Sequence, residues 1–497
     1  MKGEEPHVSS NDMKTHNLLD LARAAMLQRG LEPSFSEGVI RELQSINECA
    51  VETNDIIPDL THLPWCSIDN DNSMDLDQIT VSQALPSDRV RILVGVADVD
   101  AIVKIGSEID KHARKNTTSV YTGVKIFPML PEKLSTDLTS LSEGEIRIAV
   151  IIDMVIKPNG EIEDSSVYRA RVLNHAKLTY NDVSNWLEGK GPLPVAALKV
   201  VGMDEQLRVQ DRVAQKMRSL RHQHGALELE TIEPRAVVSD GRVIDLKQEK
   251  RGRARDVIED FMIAANGVTA RFLTQAGYPT LRRVVRSPKR WERIVQVALE
   301  LGDQLPSDPD SVALAQFLSR RRAADPLRFP DLSLTIVKLL GRGEYTLEIP
   351  GQPAPGHFGL AVQDYSHSTA PNRRFADLIT HRLLKSSIRK TTIPYDNDEL
   401  RFLASHCTLQ QDAADKVERQ VRKSAAALLL SSRIGEYFEG IVTGASEKGI
   451  WARVFNPPVE GKVARGEQVL DVGVKVRLQL IGVNVERGYI DFVQAKH

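Results

Sequence analysis

The sequence predicts an α+β protein, and three observations carry that reading. Strands come first: "RVRILVGVADV" is a short apolar run of the kind a buried strand needs, and "IRIAVIIDMVIKPNGEIEDSSVYRARV" folds about "KPNG" as a hairpin. Long helical segments follow at about 194–222, in "ARDVIEDFMIAANGVTARFLTQAG", "SPKRWERIVQVALELG" and "SVALAQFLSRRRAA", and from about 397 to 434. After Gly435 the pattern returns to short strands broken by Gly and charged turns, as in "YFEGIVTGASEKGIWARVF" and "KVRLQLIGVNVERGYIDFVQ". That last rhythm suits a five-stranded OB-type barrel of roughly 60 residues, a common oligonucleotide binder. Strands followed by helices argue for a mixed sheet with packed helices rather than alternating βα units.

A chain of 497 residues has room for two to four domains, and 41% hydrophobic residues can fill a substantial core. The net charge of −2 argues neither for nor against a nucleic-acid partner, so a basic binding surface has to be local. Cys49, Cys66 and Cys407 are odd in number and far apart, which excludes a disulfide framework and a cysteine zinc site. The opening "MKGEEPHVSSNDMK" lacks the apolar core of a signal peptide, and no run of about 18 apolar residues follows, so the expectation is a cytoplasmic protein without a membrane partner. A monomer is the expected state. Two short helices, "MKTHNLLDLARAAMLQRG" and "SFSEGVIRELQSI" with Ser34 or Ser36 as cap, precede the strands. They fit a helix-turn-helix or a plain helical appendage.

The first candidate site is "SIDNDNSMDLDQIT", where Asp69, Asp71, Asp75 and Asp77 fall within nine residues. At an effective dielectric of about 20, two carboxylates roughly 6 Å apart repel by about 3 kcal/mol, so such a group asks for water or a cation. If the segment is extended, Asp75 and Asp77 face one side and Met74 and Leu76 the other, the apolar pair in the core and the acids in a cleft. Hard oxygen ligands suit Mg²⁺ or Mn²⁺, which activate water and stabilise the leaving oxygen of a phosphodiester. A calcium loop of the EF-hand type needs Gly and Glu where this chain has Met74 and Thr80. A solvated acidic turn is the bland alternative.

Three further segments bear on the first. In "HSTAPNRRFADLITHRLL", Pro371, Arg373 and Arg374 read as the first turn of a helix, where cations oppose the dipole and an anion would be welcome. Arg373, Asp377 and His381 then share a face, which is equally the pattern of a surface ion-pair ladder. "ADKVERQVRKSAAALLL" carries Glu418, Arg419 and Arg422 on a helix that most simply faces solvent. In "SVYTGVKIFPMLPEKLSTDLTSL", Tyr121 is placed to stack on a base or to pack in the core.

These segments, in this order, resemble the ribonuclease II (RNB) family of exoribonucleases. "LTHLPWCSIDNDNSMDLDQ" is similar to its acidic signature, with Asp69, Asp75, Asp77 and Gln78 at the signature's acidic offsets. "YTGVKIFPMLPEKLSTDLTSL", "ARDVIEDFMIAAN" and "HFGLAVQDYSHSTAPNRRFADLITHRLL" are similar to three further motifs, and the C-terminal strands to its S1-type domain. The resemblance implies a catalytic domain over 55–434, an S1-type RNA-binding barrel over 435–497, and a helical module over 1–54 in place of the family's cold-shock barrels. It implies processive 3′→5′ hydrolysis of single-stranded RNA to nucleoside 5′-monophosphates with Mg²⁺, Mn²⁺ being possible. Asp69, Asp75, Asp77 and Gln78 would hold metal, the three aspartates would orient the attacking water, and Arg373 would meet the scissile phosphate. Tyr121, Arg374 and Glu418 would grip the substrate.

Two departures stand out. Gln78 replaces the fourth acid, which Asp71 would offset, and "APN" replaces "SPI" before the arginines. Loss of an acid leaves open a second reading, an RNA-binding regulator that keeps the fold without catalysis. The basic clusters at 247–255, 281–290 and 319–324 are either phosphate rails or solvated helix ends.

Overall fold

The computed structural model describes residues 12–49, 57–230, 235–239, 242–247, 251–352, 355–446, 449–464 and 474–495. Two helices, α1 (Asp12–Gln28) and α2 (Glu37–Ser45), lead in, and Ser36 caps α2 by accepting the Val39 N–H. They do not pair with each other as a helix-turn-helix would. The first lies along a long C-terminal helix and the second against α3 (Glu108–Asn116), so each docks on the body by its own apolar face.

The sheet closes into a barrel. Its strands are β1 (Trp65–Asp69), β2 (Gln78–Ala84) and β3 (Val90–Ala97), then, after the small hairpin β4 (Val120–Tyr121) and β5 (Ile126–Phe127), β6 (Ile146–Ile156) and β7 (Ile162–Thr179). Neighbours run antiparallel in the order β1-β2-β3-β6-β7, and one parallel seam between β1 and β7 shuts the ring. Ile79, Ile92, Val94, Val150 and Ile152 are fully buried, which explains the near-continuous apolar runs in the sequence. The β6–β7 turn uses Gly160 at φ +93°, where a Cβ would also lie 2.7 Å from the Lys216 backbone. Only glycine meets both demands.

Helices wrap this barrel. After α4 (Tyr180–Leu187) the stretch expected as one helix at 194–222 is broken at Gly202 into α5 (Val195–Leu198) and α6 (Met203–Gln223). The hairpin of β8 (Arg235–Ser239) and β9 (Arg242–Lys247) leads to α7 (Arg253–Gln275) and β10 (Thr280–Val284). A separate apolar cluster gathers α8 (Trp291–Glu300), α9 (Ser311–Ala324) and α10 (Phe329–Leu340) before β11 (Glu344–Glu348) pairs with β10. Next come α11 (Phe375–Arg389) and α12 (Asn397–Leu430), the latter 34 residues long and the helix on which α1 rests. At about 1.5 Å per residue, α12 runs for roughly 50 Å.

The predicted terminal barrel is present: β12 (Tyr437–Ser446), β13 (Gly449–Val454), β14 (Glu460–Val463), β15 (Lys475–Asn484) and β16 (Tyr489–Gln494) close in the order β12-β13-β14-β16-β15. Ala426, Ala427 and Leu430 of α12 enter its apolar core, and Arg453 pairs with Asp331 of α10 at 3.0 Å.

One buried ionic network was not foreseen. Asp98 and Asp100, just past β3, meet Lys385 at 2.9 Å each. Asp98 also takes Arg169 of β7, while Arg382 reaches Asp100 at 2.9 Å and Asp110 of α3 at 2.7 Å. This pins α11 to the end of the barrel. Within the basic clusters, Arg251, Arg253, Arg282, Arg286, Arg320 and Arg322 pair with carboxylates. Of the first cluster, positions 248–250 lie outside the described residues. All three cysteines are unpaired, and no described helix is long and apolar enough to cross a membrane.

Candidate active site

Strand β1 ends at Asp69, and the chain crosses residues 70–77 before β2 begins. Asp69 Oδ1 accepts the Asn70 N–H at 2.7 Å and the Ser73 hydroxyl at 3.0 Å, which turns the chain sharply. The crossing is then stitched to Ser140 and Leu141. Leu76 N–H donates to Ser140 Oγ at 3.0 Å, Ser140 Oγ donates to Met74 O at 2.8 Å, and Leu141 N–H donates to Leu76 O at 3.0 Å. The segment is therefore a strapped loop rather than a strand. Leu76 is buried as expected, but Met74 is 59% exposed, because strict alternation does not hold outside a ladder.

The arginine segment also differs from expectation. Helix α11 starts at Phe375, with Arg374 extended at its cap, so Arg373 and Arg374 sit in the turn before the helix and not in its first turn. Buried Asp377 explains this: its Oδ1 accepts both the Ala370 N–H and Arg374 Nη2 at 2.8 Å, folding the turn back on the helix. The ladder of Arg373, Asp377 and His381 on one face does not form. His381 is buried, its Nε2 2.7 Å from Ser368 O, and Asn266 Oδ1 accepts the Ser368 N–H at 2.8 Å. Ser119 N–H donates to Arg373 O at 3.0 Å, which fixes the turn from the β4 side.

The two segments meet across 296 residues. Asp77 Oδ2 accepts Arg373 Nε at 2.9 Å, and Oδ1 accepts the Asn372 N–H at 3.1 Å. Burial pushes the Asp77 carboxyl up, and neighbouring Asp75 adds to the rise while Arg373 opposes it. Asp75 is raised in the same way, by burial first, with Asp69 adding repulsion against the pull of Arg373. Burial works against the Arg373 charge, but the Asp77 carboxylate outweighs it.

Tyr121 and Glu418 join this group. The Tyr121 N–H donates to Glu418 Oε1 at 2.8 Å, and the side chain, 39% exposed, lies in the field of Arg373, Asp75 and Asp77. Of the candidates, then, Asp69, Asp75, Asp77, Arg373, Tyr121 and Glu418 converge. Arg374 is committed to Asp377, Gln78 stands in the β2 ladder opposite Val96, and Asp71 is exposed at the loop tip. Sequence reasoning missed Tyr180, and it placed Arg255 only within the basic cluster at 247–255. The Arg255 guanidinium lies 5.2 Å from the Tyr180 ring centre, Arg255 Nη2 reaches Asn70 Oδ1 at 3.4 Å, and Tyr180 feels both Asp69 and Arg373. The one signal for Tyr180 is its position at the end of β7.

Among the described residues, no three His, Cys, Asp or Glu side chains converge closely enough to hold a metal ion as they stand. The most buried aspartate has instead taken the nearest cation, Arg373. The donor set still has the right chemistry for a hard divalent ion: carboxylate oxygens that raise one another's pKa.

The chain belongs to the RNB-domain family: residues 57–390 match the RNB domain and residues 436–495 the RNase II-type exonuclease C-terminal S1 domain. Its similarities run to ribonuclease R. The chain is 28% identical to Ribonuclease R of Aquifex aeolicus, covering 93% of this chain and 68% of that protein. It is 29% identical to Ribonuclease R of Escherichia coli, covering 87% of this chain and 57% of that one, so it spans little more than half the length of some relatives. Mycoplasma genitalium RNase R, solved in complex with ribose-methylated single-stranded RNA, superimposes with a TM-score of 0.86 at 23% identity, over 96% of this chain and 78% of that one.

Proposed function

We propose that this protein is a processive 3′→5′ exoribonuclease that hydrolyses single-stranded RNA to nucleoside 5′-monophosphates. The observation that carries the reading is the meeting of Asp77 and Arg373, with Asp75 and Asp69 beside them and an open tyrosine at the rim. Family membership and the similarity to ribonuclease R support it.

In this reading Asp69, Asp75, Asp77 and Gln78 would hold a divalent ion, Mg²⁺ by preference, and the chemistry it would supply is activation of water and neutralisation of charge on the phosphodiester. Arg373 binds the scissile phosphate, and its charge, kept in place by Asp77, stabilises the oxygens that gain charge in the transition state. Tyr121 stacks on a terminal base, held at its backbone by Glu418. Arg374 acts at one remove, bracing the turn through Asp377. The C-terminal barrel feeds unpaired RNA toward the site, and ribose 2′-hydroxyls distinguish RNA from DNA. We place the protein in the cytoplasm as a monomer.

The test is a time course on 5′-labelled single-stranded RNA with Mg²⁺. A ladder that requires the metal and vanishes in Asp77→Asn is the expected result. Tight RNA binding with no shortening would establish the regulator reading that Gln78 leaves open.

A further inference from the structure

A cavity of about 630 Å³ lies between the β6–β7 hairpin, α6, α7 and residues 362–364. Such a volume falls in the range of small-molecule sites. Asp260, Gly267 and Arg271 line it from one face of α7, while Asn266, also on α7, holds Ser368 of the arginine turn. The cavity is therefore separate from the aspartate loop.

Most of its charges are already matched. Asp260 is paired with Arg221, Asp364 with Arg282 at 3.1 Å, Glu161 with Lys157 at 3.2 Å and Glu163 with Arg89 at 3.0 Å. Asp164 is an exposed rim residue whose Oδ1 accepts the Ser165 N–H. Arg271 differs from all of these. It makes no hydrogen bond or ion pair among the described residues, and burial pulls its pKa down, with Asp364 only partly restoring it. A Cβ on Gly267 would lie 3.3 Å from Arg271 Nη1 and 3.4 Å from Asp364 O, so the bare glycine gives the guanidinium its place. Two buried atoms at the same cavity, Asp260 Oδ2 and Arg221 Nε, also lack partners. Leaving such groups unmatched is costly, and a ligand that matched them would bind through charge-assisted hydrogen bonds.

The demand is for an anion to meet Arg271 and a hydroxyl donor to meet Asp260 Oδ2, both on one small body. We propose that this cavity binds a small phosphate monoester bearing free hydroxyls, with nucleoside 5′-monophosphates as its occupant. The choice of nucleotide rests on the exonuclease reading, since that reaction releases them; the pairing of anion with hydroxyl does not.

The experiment is calorimetric titration of the full chain in EDTA with uridine 5′-monophosphate, ribose 5-phosphate, inorganic phosphate and uridine. An Arg373→Ala background removes binding at the aspartate site. Saturable binding of both phosphorylated sugars that Arg271→Gln weakens by about tenfold or more supports the proposal. Gly267→Ala, which leaves α7 intact while crowding the guanidinium, should weaken binding as well. Arg271→Gln should leave RNA hydrolysis unchanged. Equal affinity for inorganic phosphate would overturn the hydroxyl part, and binding indifferent to both cavity variants would overturn the site. Either failure leaves the exonuclease reading standing, because that stands on the RNA time course alone.

Discussion

Two five-stranded closed barrels sit in this chain, and they solve different problems. The first is a meander closed by a parallel seam between β1 and β7, wrapped in helices, with Asp77, Asp98, Asp153 and Arg169 buried at or beside it. The second crosses over so that β14 meets β16, has a core of Val, Leu, Ile and Phe, and among its described residues buries one charged side chain, Arg453. In the first, Asp98 meets Lys385 of α11 from outside the sheet, while Asp153 is paired with Arg91 inside it. The second takes one such partner, Asp331 of α10 for Arg453, and buries no other charge among its described residues. Chemistry that needs desolvated carboxylates therefore belongs to the first barrel.

The comparison is broken hardest by removing a buried partner. Asp98→Ala takes the shared carboxylate from between buried Arg169 and Lys385, leaving Asp100 to balance Lys385 without it, and should lower stability by about 3–5 kcal/mol in urea melts. A loss no larger than that of Arg453→Ala would mean the barrels do not differ in this respect. Next, Arg373→Ala should cut kcat by about 10²–10³-fold.

A pH effect isolates the segment at His357, which bridges Val285 and Val362 outside both barrels. Burial, helped by nearby Arg283, lowers His357 to about 4, so the folded protein binds fewer protons than the unfolded chain between that value and the usual 6.5. Stability should then be fully present above pH 6.5 and fall as pH drops toward 4, by about 2 kcal/mol after allowing for partial exposure. His357→Asn should flatten that slope in melts across the window. The smallest effect belongs to the second barrel. Tyr437 is exposed, with the Arg477 guanidinium 5.1 Å from its ring centre, and Tyr437→Ala should raise KM roughly fivefold without changing kcat, about 1 kcal/mol of stacking.

Much of this was legible in the sequence, for identifiable reasons. The apolar runs of β3 and β6, the "KPNG" turn and the strand rhythm after Gly435 are local signals, and they led to the right elements. Asp69, Asp75, Asp77 and Arg373 were legible as a set through ordered motifs. What failed depended on distant partners. The start of α11 was misplaced because Asp377 captures Ala370 N–H and Arg374, a choice that propensity does not reveal. Asp98, Asp100, Arg382 and Lys385 read singly as solvated charges. Their signal was the company they keep: "VADVD" at the end of a buried strand, and "LITHRLLKSS" in a helix whose every face is buried.

The hydrogen bond from Tyr121 to Glu418 ties the hairpin rim to a point on α12, and the C-terminal end of that same rod is embedded in the second barrel. A shrinking RNA tail must at some point become too short to touch both ends. The size of the last fragment released is then set by the span of a helix and not by the chemistry at the aspartates. Splicing one extra turn into α12 beyond Glu418 would lengthen that remnant, as moving the stop on a ruler changes where every cut falls.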